Sequence, residues 1–162
     1  MMFTSKSAFL LAAVMVLFSS TIMAAGTPLD FELPTLDGKR FFRLSETGKR
    51  IIVVNFWDTE CPPCVREMPL LDKAAKSHPD AFFIGVSVSE RNKARNFLAD
   101  HPVGYLQLAK PTDPAGFLRR FGDRVGGLPH TMVLKVDHSL CETRTGEIDQ
   151  NWIESALQRC QK

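Results

Sequence analysis

One stretch constrains this chain more than any other: Ile51-Ile52-Val53-Val54-Asn55-Phe56-Trp57, a β-branched and aromatic run holding a single amide. A strand with one wet face would alternate polar and apolar residues, so a continuous run suits a central strand buried on both faces of a sheet. After Asp58, Thr59 and Glu60 comes Cys61-Pro62-Pro63-Cys64, and Val65, Met68, Leu71 and Ala75 then recur at helical spacing. This predicts a helix from about Cys61 to Ser77 with a core-facing stripe. Pro62 and Pro63 are acceptable in its first turn, whereas Pro69 removes a donor deeper in and should kink it.

The flanking segments fit the same plan. Leu29 to Leu33 alternates apolar and acidic residues, Asp37-Gly38 is a tight-turn signal and Phe41-Phe42 follows, which predicts an opening β-hairpin added to the main sheet. Ala81 to Val88 reads as a second buried strand, and Glu90 to Ala99 as a helix with Ala94, Phe97 and Leu98 inward. From His101 to Asp123 the prolines allow one short strand and one short helix. His130 to Val136 and Cys141 to Thr145 are strands joined at Asp137-His138-Ser139, and Asn151 to Gln161 is a closing helix. Strands alternating with helices argue for an α/β sandwich around a mixed sheet, with the site where a strand meets a helix.

The first 25 residues stand apart. Lys6, an apolar run from Ala8 to Phe18 and the small residues Ala24, Ala25 and Gly26 have the order of a secretory signal peptide. Cleavage is expected near Ala24 or Ala25, leaving one domain over 26–162. The alternative is an uncleaved membrane tether, since the apolar stretch approaches the roughly 20 residues that span a bilayer. Either way the domain is delivered across a membrane. The formal net charge is only +2, with Lys6 the sole charge in the leader, so nothing suggests nucleic acid as a partner. All four cysteines, Cys61, Cys64, Cys141 and Cys160, fall in the exported part, where an even count invites two pairs.

The chemistry centres on Cys61 and Cys64. A cysteine at a helix N-terminus lies beside unpaired amides and the positive end of the helix dipole, both of which favour a thiolate, so Cys61 is the expected nucleophile. Cys64 lies one turn later, within reach of a disulfide that Pro62-Pro63 stiffens. Cys61 would attack a client disulfide and Cys64 would resolve the mixed disulfide. A structural zinc site would need two further ligands at suitable spacing, and His78, His101, His130 and His138 are scattered. A purely structural disulfide across so short a loop would constrain the unfolded chain little. No metal or other cofactor is expected.

Asn55-Phe56-Trp57, Cys61-Pro62-Pro63-Cys64 and Glu67-Met68-Pro69 together resemble the TlpA/ResA/DsbE-like branch of the thioredoxin superfamily. Gly127-Leu128-Pro129 before Thr131-Met132-Val133-Leu134 is similar to that family's second signature, a cis-proline loop against the active-site disulfide. The resemblance implies a thioredoxin-like three-layer sandwich with an added N-terminal β-hairpin. It also implies an exported or membrane-tethered protein in the periplasm of a Gram-negative bacterium, acting on exported cysteine-containing proteins. Apocytochromes c and copper-site assembly proteins are examples of such clients, and a membrane thiol reductant of the DsbD or CcdA kind would recharge the pair. By the same resemblance Trp57, Pro62, Leu128, Pro129 and His130 would line the client groove, with Leu128 offering its backbone to an extended segment.

Two departures bear on mechanism. Asn55 stands where thioredoxins proper place a buried Asp that helps deprotonate the second cysteine, which makes Glu67 a candidate for that proton; the competing reading is a solvated helix residue near Arg66. Glu60 directly precedes the nucleophile, with Asp58 nearby, and carboxylates so placed should disfavour a Cys61 thiolate. A less stable thiolate makes the dithiol the less favoured form, the behaviour of an electron donor. The competing reading is a fully solvated Glu60 that leaves Cys61 almost untouched.

Trp152, Ile153, Ala156, Leu157 and Cys160 share one helical face, and a last helix turning back after Gly146 would bring Cys160 near Cys141. Closing a loop of about 20 residues would contribute roughly 3 kcal/mol in the chain-entropy model, a structural role; an electron relay to Cys64 is the alternative. For the whole protein, a disulfide reductase competes with an oxidase or isomerase and with a Cu(I)-binding chaperone, for which His130 beside Pro129 is the one added ligand in prospect. A peroxidase is weaker, because no Pro-x-x-x-Thr-x-x-Cys pattern is present.

Overall fold

The computed structural model describes residues 28–161, and the expected signal peptide lies outside them. β1 (Glu32–Pro34) and β2 (Phe41–Arg43) form the antiparallel hairpin, followed by a 3-10 turn over Leu44–Thr47. Then come β3 (Ile51–Trp57), α1 (Pro62–Ser77), β4 (Ala81–Ser87), α2 (Arg91–Asp100), β5 (Leu106–Leu108), α3 (Pro114–Arg120), β6 (His130–Leu134), β7 (Leu140–Thr145) and α4 (Gln150–Cys160). The main sheet has the order β5-β4-β3-β6-β7. β3, β4 and β5 run parallel, as helical crossovers require, while β6 pairs antiparallel with β3 and β7 antiparallel with β6.

β3 is buried along its whole length, and its alternating side chains feed two cores. Ile52, Val54 and Phe56 pack with Phe31, Phe42 and Leu44 from the hairpin side and with Leu118 and Phe121 from α3. Ile51 and Val53 face Leu71 of α1 and Ile153, Ala156 and Leu157 of α4. Trp57 faces Cys64, Met68 and Ala94, which seats the start of α1 and the inner face of α2 at the carboxyl end of β3. Three layers follow from this division.

The hairpin extends the sheet rather than sitting apart from it. Thr35 bridges Leu108, the Leu36 amide donates to the Gln107 carbonyl at 2.9 Å, and the Ala109 amide donates to the Pro34 carbonyl at 2.9 Å. The exposed edge of β5 is thereby covered. The β6–β7 turn is wider than the three residues expected, because Asp137 accepts the amide and hydroxyl of Ser139 and the Lys135 amide donates to the Ser139 carbonyl. β6 therefore ends at Leu134 instead of Val136. α1 runs unbroken through Pro69. Among the described residues no helix is long and apolar enough to cross a membrane.

Candidate active site

Cys61 is the N-cap of α1, with Pro62 and Pro63 filling the first two helical positions. Neither proline has an amide hydrogen, so the first free donor of the helix is the Cys64 N–H, and it points at Cys61 Sγ from 3.3 Å. The sequence thus aims one amide at the sulfur that would carry negative charge. The pair is bonded, with Cα atoms 5.3 Å apart. Cys61 is half-buried and Cys64 fully buried, so an incoming sulfur meets Cys61 first. Pro62 is exposed beside it.

Opposite lies the loop that leads into β6. The Leu128–Pro129 peptide is cis. Leu128 is half-buried and packs against the apolar group that contains Cys61 and Cys64, while Pro129 is buried. Its carbonyl accepts the Gly146 amide at 2.8 Å, so the end of β7 holds the loop in place.

Glu67 is not a solvated helix residue: it is 2% exposed. One turn beyond Cys64, its Oε1 accepts Asn55 Nδ2 at 2.6 Å and its Oε2 accepts the Ile148 amide at 2.9 Å. Asn55 also donates to Thr131 Oγ1 at 3.0 Å. Burial pushes the Glu67 carboxyl up to about 7, against these hydrogen bonds, which favour the charged form. The polar place that Asn55 marks in β3 thus holds a carboxyl after all, delivered from the helix.

Three expectations need correction. Trp57 does not line a groove: it is completely buried, donates Nε1–H to Gln107 Oε1 at 2.9 Å and supports the cysteine pair from inside. His130 does not line the groove either. The alternation of β6 turns its ring to the Phe56 side of the sheet, where Nδ1 lies 2.9 Å from Thr145 Oγ1 and Nε2 lies 3.2 Å from the Phe121 carbonyl. Burial lowers its pKa and favours the neutral ring, which faces away from the sulfurs as a metal ligand could not. Glu60, finally, does not act on Cys61 unopposed. Its side chain is 79% exposed and pairs with Lys93 of α2 at 2.8 Å. No local pattern announces that pairing, since the two residues lie on elements separated by β4.

The second cysteine pair joins β7 to the end of α4, with Cα atoms 5.8 Å apart. Cys160 is buried among Ile153, Ala156 and Leu157, and Cys141 packs against the same core.

Comparison with known proteins agrees with this geometry. A family model described as AhpC/TSA matches residues 26–140. The thiol-disulfide oxidoreductase ResA of Bacillus cereus is 26% identical over 134 residues, covering 80% of this chain and 74% of that protein. The thioredoxin-like protein YneN of Bacillus subtilis is 41% identical over 51 residues, and the match spans only 29% of its length. A crystal structure of a thiol:disulfide interchange protein of the thioredoxin family from Chlorobium tepidum superposes with a TM-score of 0.73 at 18% identity, covering 84% of this chain and 96% of that one, and so has the same fold. The chain belongs to the AhpC/TSA family, and over most of its length it is similar to the thiol-disulfide oxidoreductase ResA.

Proposed function

We propose that this protein reduces disulfides in exported cysteine-containing proteins, with Cys61 as nucleophile and Cys64 as resolving thiol. The observation that carries the reading is the half-buried Cys61 sulfur, faced by the Cys64 amide and flanked by the loop at Leu128. In the reduced protein the Cys61 thiolate attacks a client disulfide, forming a mixed disulfide and releasing one client thiolate, which takes a proton. The Cys64 thiolate then attacks Cys61 Sγ, releasing the second client sulfur as a thiolate, which takes a proton, and leaving the Cys61–Cys64 bond seen here. Two electrons pass to the client. Glu67, with its carboxyl near neutrality, takes the Cys64 proton in that second step.

The proposed setting is the periplasm of a Gram-negative bacterium, with residues 1–25 as a signal peptide or inner-membrane tether and 26–162 as one thioredoxin-like domain. Apocytochrome c and copper-site assembly proteins are the proposed kinds of client, and a membrane dithiol of the DsbD or CcdA kind is the proposed electron source. Pro62 and Leu128 remain the client-contact residues, and the buried Pro129 shapes the loop that presents Leu128. Asp58 and Glu60 support the reducing direction. Lys93 beside Glu60 favours the second reading, an oxidase or isomerase, because a nearby cation stabilises the thiolate.

Equilibration with glutathione separates the two. A potential near the roughly −270 mV of thioredoxin supports a reductant, and one near the roughly −120 mV of a strong oxidant sinks it. Cys64→Ala should hold client proteins as mixed disulfides on Cys61, to be identified by mass.

A further inference from the structure

Between α3 and β6 the chain runs Gly122-Asp123-Arg124-Val125-Gly126-Gly127-Leu128-Pro129, and within it Asp123 is fully buried. Asp123 Oδ1 accepts the amides of Val125 at 3.1 Å and Gly126 at 2.9 Å, and it lies 3.3 Å from the Thr145 hydroxyl of β7. The Asp123 amide itself donates to the Leu118 carbonyl at 3.0 Å, which fixes the residue to the end of α3. One carboxylate oxygen thus ties the loop to the outer strand, and the amide of the same residue ties it to the helix.

The loop has little freedom to take another path. Gly126 has φ +72°, and a Cβ at Gly127 would fall 2.7 Å from Thr145 Cγ2, so the backbone is drawn tightly across that threonine. Thr145 also meets His130, the residue after Pro129, at 2.9 Å. Both ends of the segment are therefore anchored to the same side chain. It displays Val125, which is 79% exposed, and Leu128, which packs beside Cys61 and Cys64.

A carboxylate that merely closes a turn has no need of burial. Asp137 receives the Ser139 amide in the β6–β7 turn from an exposed position. Asp123 instead is enclosed, and its Oδ2 has no partner among the described residues. A buried acceptor left unmade is destabilising, whereas it removes the competition from water that would loosen the Oδ1 bonds. Rigidity of the segment 124–128 is what this arrangement produces.

We propose that Asp123 is a positioning residue for client recognition: through its bonds to the Val125 and Gly126 amides it fixes the loop that holds Leu128 as an apolar contact beside Cys61. The contact favours clients whose reacting cysteine is flanked by an apolar residue. This role rests on the thiol–disulfide reading above, and it acts on the encounter with a protein client rather than on the sulfur chemistry.

The test compares pre-reduced proteins in single turnover against two disulfides: dithiobis-nitrobenzoate, a small aromatic probe, and insulin, a protein one. Asp123→Ala should lower the rate constant for insulin about tenfold through misplacement of the loop, and leave the small-probe rate within about twofold. Asp123→Asn retains an acceptor for both amides and should return insulin reduction to within about twofold of the unaltered protein. Thr145→Val, at an exposed strand position, serves should Asp123→Ala fail to fold; it removes one hydroxyl from the clamp and should slow insulin alone by roughly threefold. Insulin and small-probe rates falling together in folded variants, or neither rate changing, would overturn the role of Asp123. An unaltered protein that reduced neither disulfide would remove the thiol–disulfide reading itself, and this role with it.

Discussion

Cys61–Cys64 closes a loop of three positions at the start of a helix, whereas Cys141–Cys160 ties the outer strand β7 to the last turn of α4 across nineteen. The first leaves Cys61 half-buried with an amide aimed at its sulfur, and the second buries Cys160 among Ile153 and Leu157, with the half-buried Cys141 packed against the same core. The loop that a bond closes and the access that its sulfurs have assign different work to the same linkage. A short loop removes little entropy from the unfolded chain, so the Cys61–Cys64 bond can be made and broken at small cost to the fold. A longer loop restrains the unfolded chain more, and a sulfur as buried as that of Cys160 is hard for a thiolate to approach.

Removing the nucleophile should have the largest effect. Cys61→Ser is expected to abolish insulin reduction, while Cys141→Ala with Cys160→Ala leaves it near the unaltered level; residual turnover in Cys61→Ser would dissolve the distinction between the pairs. Stability should separate them in the opposite sense. Loss of the Cys141–Cys160 bond is expected to lower unfolding stability by about 3 kcal/mol in denaturant titration, and reduction of Cys61–Cys64 by less, about 2 kcal/mol. A folded Cys141→Ala/Cys160→Ala protein that had lost turnover would make the second pair a relay.

How much of this was legible in the sequence depends on the range of the interaction. The continuous run Ile51–Trp57 and the helical stripe after Cys61 announced the central strand and the helix, because burial on both faces leaves a local pattern. The hairpin, with Asp37-Gly38 at its turn, was equally readable. Burial of Glu67 was not, since it depends on Asn55 of β3 and on Ile148 just before α4 converging on one carboxyl. The family resemblance puts Trp57 and His130 in the groove, yet strand alternation and the Gln107 and Phe121 partners take both inward. Asp123 carries a local signal: an Asp two and three positions before the amides it accepts is an Asx turn, and here the turn lies just ahead of Pro129.

The buried carboxyl extends the contrast between the pairs to pH. With the Glu67 carboxyl raised from 4.5 to about 7, the folded protein holds that proton more tightly than the unfolded chain does. Its contribution to stability is therefore greatest below pH 4.5, falls as pH rises through about 7 and is constant above that. Glu67→Gln cannot ionise and should flatten this slope in pH-dependent denaturation. Asn55, whose buried Oδ1 has no partner among the described residues, can turn its amide to receive the new NH2 group. The same substitution should slow resolution by Cys64 on the order of a hundredfold near neutral pH, measured by stopped-flow release of the second client thiol. An unchanged resolution rate would return Glu67 to a purely structural role, of the kind held by the second disulfide.

The smallest effects should come from the surface charges, and they probe whether the exposure of Cys61 makes it tunable. Glu60 and Lys93 pair at 2.8 Å with side chains 79% and 48% exposed, so solvent and salt screen both. Glu60→Gln leaves the Lys93 charge uncompensated and should raise the fraction of Cys61 present as thiolate at neutral pH. Lys93→Met leaves Glu60 uncompensated and should lower it. Each change is expected to stay within about twofold at physiological salt and to shrink as salt is added, as ultraviolet absorbance of the thiolate would show. Opposite signs would establish that charge at the mouth of the site sets part of its redox poise, a control that the enclosed Cys160 sulfur does not allow. Shifts of the same sign, or shifts indifferent to salt, would mean that the two substitutions act by moving the Asp58–Glu60 turn, whose Glu60 amide donates to Asp58 Oδ1 at 2.7 Å, rather than through their charge.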